Sequence, residues 1–134
     1  MKRAIAQDKP VLGICAGFNN ILRALGTNII EDETKAHSVY DINYRHPVTI
    51  VEGTKLHEFA GGTTLMVNSF HTMICPAENV TGYAKPSSFS EDGLVESIEL
   101  ENKTFVVGVK WHPEQMRDEP YAKALFQAFT DACR

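Results

Sequence analysis

A thiol, an imidazole and a carboxylate stand in two short segments of this 134-residue chain, and together they could activate a nucleophile. The first segment is Pro10-Val11-Leu12-Gly13-Ile14-Cys15-Ala16-Gly17-Phe18-Asn19; the second is Val109-Lys110-Trp111-His112-Pro113-Glu114. In the first, an apolar run that predicts a buried strand ends at Cys15, between Gly13 and Gly17, and an apolar periodic stretch follows. A strand, a sharp turn and a helix are therefore expected, with the thiol at the turn. There the unpaired backbone N–H groups of a helix N-terminus favour thiolate over thiol. In the second, Pro113 biases His112 towards an extended backbone, where residues two apart face the same side, so His112 and Glu114 are expected to project together. With the imidazole towards Cys15, Glu114 behind it would accept one ring N–H, fix the tautomer and favour the imidazolium formed when the thiol loses its proton. A lone cysteine is more often a small buried hydrophobe, and a lone histidine a loop residue. Two extended motifs in the order Cys, His, Glu favour the triad.

The elements that must hold these groups follow from periodicity and punctuation. Met1 to Gln7 reads as the last turns of a helix, broken by Asp8-Lys9-Pro10 before a strand over Val11–Ile14. Phe18, Ile21, Leu22 and Leu25 recur at helical spacing up to Gly26, a residue suited to a helix C-terminus. Thr27 to Arg45 is polar and irregular and is expected to be mostly loop. Strands are predicted over Pro47–Val51, Thr64–Val67, Val80–Ala84, Leu94–Leu100 and Thr104–Val109. The last two are joined by Glu101-Asn102-Lys103 as a hairpin. One helical turn is expected from Leu56 to Phe59, ended by Gly61-Gly62. Tyr121, Leu125, Ala128, Phe129 and Ala132 form one apolar stripe of a final helix, with Asp118 as its expected cap and Pro120 in its first turn.

Composition narrows the chemistry. A chain of this length is one domain able to bury roughly two-thirds of its unfolded surface. Its 43% hydrophobic and 22% charged residues are ordinary globular values, and no apolar run approaches the ~18 residues of a membrane span. The opening Met1-Lys2-Arg3 lacks the apolar core of a secretory signal. A net charge of −4 with scattered Lys and Arg gives no basic stripe for nucleic acid. Cys15, Cys75 and Cys133 form neither an even disulfide framework nor a CxxC pair, which points to a reducing cytoplasm and away from structural zinc. Two sequons, at Asn79 and Asn102, matter only after secretion and are discounted. His37, His46 and His57 show no metal-ligand spacing, Glu31-Asp32-Glu33 lacks the pattern of a calcium loop, and Gly61-Gly62-Thr63-Thr64 lacks the Walker lysine. No metal and no cofactor is expected.

These residues carry a resemblance over nearly the whole chain. Gly13 to Asn19 resembles the nucleophile pattern of class I glutamine amidotransferase-like hydrolases, and Trp111 to Glu114 resembles that family's terminal His-Pro-Glu. Val67-Asn68-Ser69-Phe70-His71 and Asp92 to Glu99 are most similar to its gamma-glutamyl-gamma-aminobutyrate hydrolase branch (C26-type cysteine peptidases). The resemblance implies an α/β fold of the flavodoxin-like amidotransferase type, with a mainly parallel sheet flanked by helices. It implies a small-molecule gamma-glutamyl substrate. Cys15 would form a glutamyl thioester, with His112 as base and then acid and Glu114 behind it. The N–H of Ala16 would stabilise the oxyanion, and Asn19 and Asn68 to His71 would line the substrate pocket. For Asn68 to His71, a strand end packed in the core stays an equal alternative, because the branch's second histidine is Thr72 here. The family usually carries Gln at the position of Asn19, and the branch usually has Arg at that of Ala16, so the polar reach of the pocket is shorter.

The resemblance also implies family strands and helices ahead of the helix in which Met1 falls. Residues 1–134 are then expected to be the C-terminal portion of the family domain. The family's second oxyanion donor belongs to that preceding portion, and such a donor is worth ~2.7–4 kcal/mol. An apolar strand left unpaired at Val11–Ile14 would seek a homodimer partner or a complementary N-terminal chain. Three other readings compete: a non-catalytic or split-enzyme remnant that binds a partner or a gamma-glutamyl ligand, a glutaminase component that feeds ammonia to a synthase, and a papain-like protease. The last lacks the Cys-Gly-Ser-Cys context.

Overall fold

Residues 10 to 14 and 105 to 110 set the frame, because each run is apolar on alternate sides and both sides find cover. The computed structural model describes residues 1–39, 41–81 and 84–134. Helix α1 (Lys2–Ala6) leads into strand β1 (Val11–Ile14), and helix α2 (Ala16–Ala24) follows after a single residue. Next come β2 (Ile30–Glu31), β3 (His46–Ile50), α3 (Lys55–Ala60), β4 (Thr64–Val67), β5 (Met73–Ile74), β6 (Ala84–Ser90), β7 (Val95–Leu100) and β8 (Val106–Val109). Helix α4 (Pro120–Ala132) ends the fold. Six strands form one sheet in the order β1-β8-β7-β6-β3-β4, and β2 pairs with β5 apart from it.

Parity along β8 divides the core. Phe105, Val107, Val109 and Trp111 pack with Leu56 of α3 and Leu125 of α4 on one face. Val106 joins Phe18, Ile21 and Leu22 of α2 on the other. Every residue of β8 is buried, as expected of a strand covered on both sides. α2 approaches closely because Gly13 and Gly108 offer it no side chain. A Cβ at Gly13 would lie 2.6 Å from the Gly17 carbonyl carbon, and one at Gly108 would lie 3.3 Å from the Phe18 ring. A Cβ at Gly17 would meet open space, so packing does not require glycine there.

The helices and most strands lie where periodicity puts them, and the α/β fold is the one expected. The balance of strand directions differs. β1 and β8 are parallel, whereas β8–β7, β7–β6, β6–β3 and β3–β4 are all antiparallel, so among the described residues the sheet is mixed rather than mainly parallel. Short connections impose two of these pairings: β6–β7 and β7–β8 are joined by loops of four and five residues and can only fold back on each other. By contrast, β3 and β4 are joined through α3, β3 and β6 lie far apart in the chain, and β1 and β8 are joined by most of it.

The strand expected over Val80–Ala84 overlaps Gly82 and Tyr83, which lie outside the described residues; the observed strand starts at Ala84 and runs through Pro86-Ser87-Ser88-Phe89-Ser90. That run has poor β propensity. It is held by the buried hydroxyls of Ser87 and Ser88, 2.6 and 2.5 Å from the hydroxyl of Ser97 on β7, and Pro86 sits beside a register shift, where it interrupts no regular ladder. The last helix starts at Pro120 with Glu119, not Asp118, at its N-cap and no side-chain cap bond; a proline at the first position needs no N–H partner there. No helix of the described residues is long and apolar enough to cross a membrane.

Candidate functional site

One end of the sheet gathers the polar chemistry of the molecule. Cys15 follows the last residue of β1, Lys110 to His112 follow β8, and Asn68 to His71 follow β4, so all three segments leave the carboxyl ends of strands. In open α/β sheets that end is where ligands bind.

Cys15 occupies the tight turn with φ 53° and ψ −98°, a backbone conformation costly for a residue with a Cβ, by about 1–3 kcal/mol. The ladder holds it there: its N–H donates to the Val109 carbonyl at 2.8 Å, and its own carbonyl accepts from Asn19 N–H at 3.2 Å. The side chain is half-buried. Burial pushes the thiol pKa up, while the nearby Lys110 ammonium and the backbone N–H of Ala16 pull it down. With Ala16, Asn19, Phe70, His71 and Lys110 it lines an open cavity of about 190 Å³.

His112 forms the expected unit with Glu114. Its Nδ1 lies 3.1 and 3.2 Å from the two carboxylate oxygens, so Nδ1–H donates to Glu114 and Nε2 is the ring nitrogen not engaged by that pair. The route to this contact differs from the expectation. His112 is extended (φ −109°, ψ 84°), but Pro113 opens a 3-10 turn through Met116, so the carboxylate returns to the ring across a turn and not along a strand.

Two partners hold the histidine from behind. Trp111, wholly buried, donates its indole N–H to the Tyr121 hydroxyl at 3.0 Å and pins the segment to α4. The buried Asn68 accepts from the His112 N–H at 2.8 Å through Oδ1 and donates to the His112 carbonyl at 2.9 Å through Nδ2. Asn68 thus grips the backbone of His112 and does not line the open cavity. Replacing it by Ala leaves both His112 backbone groups without partners, at about 1–3 kcal/mol each. An expected kcat loss of about 100-fold with little change in KM, read by steady-state kinetics, would mark it as a positioning residue; equal losses in both would argue against that.

The remaining expected residues are divided. Phe70 stands edge-on to the His112 ring with centroids 5.8 Å apart, beside the cavity. Ser69 donates to the His37 carbonyl at 2.6 Å and faces a different cleft. His71 lines the Cys15 cavity and turns Nε2 towards Glu96 at 3.6 Å. Asn19 accepts from Lys110 Nζ at 2.6 Å.

Lys110 is the residue that the motifs did not reveal. Strand parity turns it to the α2 side of β8, opposite Trp111. It is 1% exposed, lies over the Phe18 ring, and has its pKa pushed down to about 8 by burial. The signal was its place next to an all-buried valine strand, where a lysine has no exit to water. Removing its charge as Lys110→Met is expected to shift the pH profile of Cys15 alkylation by iodoacetamide to higher pH. The reaction at pH 8 should then slow several-fold, since the thiolate loses a neighbouring cation. An unshifted profile would rule out this coupling.

Residues 1–114 match the peptidase C26 family. The chain belongs to that family. It is a family of glutamine amidotransferase-like hydrolases. Among its relatives, Protein NtpR of Enterococcus hirae is 32% identical over 85% of this chain and 51% of the relative. The gamma-glutamyl-gamma-aminobutyrate hydrolase PuuD of Escherichia coli (strain K12) is 28% identical over 98% of this chain and 56% of the relative. A solved structure from Thermoplasma acidophilum superposes with a TM-score of 0.76 at 16% identity, covering 98% of this chain and 61% of the other. A glutamine amidotransferase from Thermotoga maritima does so with a TM-score of 0.66 at 19% identity, covering 97% and 50%. These two likenesses show the peptidase C26 chain's fold. The chain spans about half the length of the curated relatives it matches.

Proposed function

We propose that this peptidase C26 chain hydrolyses a gamma-glutamyl amide through a thioester on Cys15. The observation that carries the reading is the strained Cys15 turn at the same sheet end as the His112–Glu114 pair. The Cys15 sulfur attacks the amide carbonyl carbon while His112 Nε2 takes the thiol proton. The carbon–nitrogen bond then breaks, and the imidazolium gives that proton to the departing amine. Water, deprotonated by the same nitrogen, attacks the thioester, glutamate leaves, and the thiol is restored. Glu114 stabilises the imidazolium in both halves. The N–H of Ala16 is one oxyanion donor. Asn19, Phe70 and His71 form the pocket wall.

The substrate class rests on similarity to the named hydrolase at 28% identity and on the Asn19 amide and His71 ring among the cavity's lining groups. In the full-length protein, incubation with gamma-glutamyl amides followed by acid quench is expected to leave a glutamyl adduct on the peptide carrying Cys15, read by mass spectrometry. Turnover without an adduct, undiminished in Cys15→Ser, would overturn the reading. The nucleophile acts as a free thiol, consistent with a reducing cytoplasm. Among the described residues β1 is an outer strand of the sheet, paired on one side by β8, so further chain or a second copy would pair along its other edge.

A further inference from the structure

Beside the nucleophile's cavity lies a second group of side chains, of which the hydrolytic reading uses only His71, as part of the cavity wall. His37, His71 and Glu96 each offer one ligand atom, and these atoms all lie within 4.8 Å of one another, in the interior of the molecule. His46 borders them, with Nε2 3.8 Å from Glu96 Oε1. The four come from separate places: a loop, the first residue of β3, the segment after β4, and β7. Backbone pairing draws two of them together, because the His71 N–H donates to the His37 carbonyl at 3.1 Å, and the two rings stack at 5.0 Å between centroids.

The polar atoms of this cluster lack partners. Among the described residues, both carboxylate oxygens of Glu96 and the Nε2 atoms of His46 and His71 are buried and make no hydrogen bond. Glu96 is 0% exposed and His71 4%. A buried carboxylate without donors is strongly disfavoured, and a positive charge between the groups removes the penalty.

The His71 tautomer sharpens this. Its Nδ1 lies 3.0 Å from the Met73 carbonyl, which can only accept, so Nδ1 carries a proton and Nε2 is the ring nitrogen turned towards Glu96. At 3.6 Å from the carboxylate, Nε2 is too far for a charged hydrogen bond. That separation is close to the spacing of two ligands on one ion: nitrogen and oxygen ligands at 2.0–2.2 Å in a tetrahedron stand about 3.4 Å apart.

The surrounding bonds match the outer shell of a metal centre, in which ligating histidines donate their other ring N–H to a carbonyl or carboxylate. His71 does so to Met73. His37 Nε2 lies 2.7 Å from Asp92 Oδ2, which leaves its second ring nitrogen free, and Ser90 in turn bonds Asp92. A cleft of about 360 Å³ lined by His37, His46, Ser69 and Asp92 gives an ion a way in from the surface.

We propose that His37, His71 and Glu96, bordered by His46, bind one divalent first-row transition cation of the zinc class, in a site separate from the Cys15 thiol. Nitrogen-rich ligation with a single carboxylate suits such ions better than magnesium or calcium. The inference does not depend on the hydrolytic reading. It accounts for the unpartnered atoms, and by holding His71 the ion would stiffen one wall of the cavity.

The test is titration of the chelator-treated full-length protein with Co²⁺ and Zn²⁺. One equivalent of Co²⁺ should bind with visible ligand-field bands and no thiolate charge-transfer band, and Zn²⁺ should displace it and raise Tm. Glu96→Gln, nearly isosteric, should lose the bands. His37→Asn, at the rim of the cleft, should weaken binding at least tenfold, and it serves if Glu96→Gln does not fold. Absence of Co²⁺ binding at about 1 mM in the wild-type protein would overturn the site, as would a thiolate band or binding undiminished in the folded variants.

Discussion

Cys15→Ala is expected to lower kcat for gamma-glutamyl amide hydrolysis by about 1,000-fold or more, because it removes the sulfur that forms the thioester. Cys15→Gly should be equally inactive and should differ in one informative respect. At φ 53° and ψ −98° a glycine is relaxed where cysteine is strained, so Cys15→Gly should unfold at higher denaturant, gaining about 1 kcal/mol over the wild type. An inactive but stabilised variant is the signature of a backbone held in strain to aim a side chain. If Cys15→Gly were instead less stable, the turn would be held by packing of the thiol, and the chemical reading would lose its structural support. Kinetics on the full-length protein, with urea unfolding alongside, decides between these outcomes.

Gly13→Ala is expected to give the largest stability loss of any glycine-to-alanine change among the described residues, about 3 kcal/mol. The added carbon would lie 2.6 and 2.7 Å from the backbone carbon and oxygen of Gly17 and 2.7 Å from Ile21 Cδ1. The Ile21 side chain can rotate. The Gly17 backbone cannot yield unless α2 moves away from β1, and α2 carries the fully buried Phe18, Ile21 and Leu22. The same movement would carry the Ala16 N–H away from the Cys15 sulfur, so activity should fall together with Tm. A drop in Tm of about 10 °C is expected for a chain of this size; a change under about 2 °C would mean that the close approach of helix to strand is not required. Gly17→Ala, whose Cβ meets open space, is the control and should leave Tm nearly unchanged.

Both predictions concern features that were legible along the chain, for a common reason. Val11–Ile14, the cysteine turn and the apolar stripe of α2 are contiguous, and the strand, turn and helix they encode depend on neighbours within a few residues. The His112–Glu114 pair is likewise local. Its geometry was anticipated through an extended backbone and is realised through a 3-10 turn, because Pro113 is as well suited to open a turn as to follow a strand.

What stayed hidden depends on contacts between distant segments. β6 has little intrinsic strand preference, and it is a strand because Ser87 and Ser88 find Ser97 across the ladder. Asn68 reads as part of a pocket motif, yet both polar atoms of its amide are used on the backbone of His112, 44 residues away. Lys110 stands in plain view within the second motif, but its approach to Asn19 requires the parallel register Ile14↔Val109, which no local pattern specifies. The histidines show no ligand spacing, since His37, His71 and Glu96 meet only after three turns of chain have folded over one sheet end.

The sequence by itself pointed to the family through the resemblance of its short motifs, to the α/β class through local hydrophobic periodicity, and to Cys15, His112 and Glu114 as candidate residues, because none of these requires reference to distant residues. The tertiary structure alone decided the mixed strand directions, the lysine beside the thiol, the amide that grips the base and the unpartnered histidine–glutamate cluster. Each of these is a consequence of burial, which forces polar groups far apart in the chain either to satisfy one another or to await a charge that will.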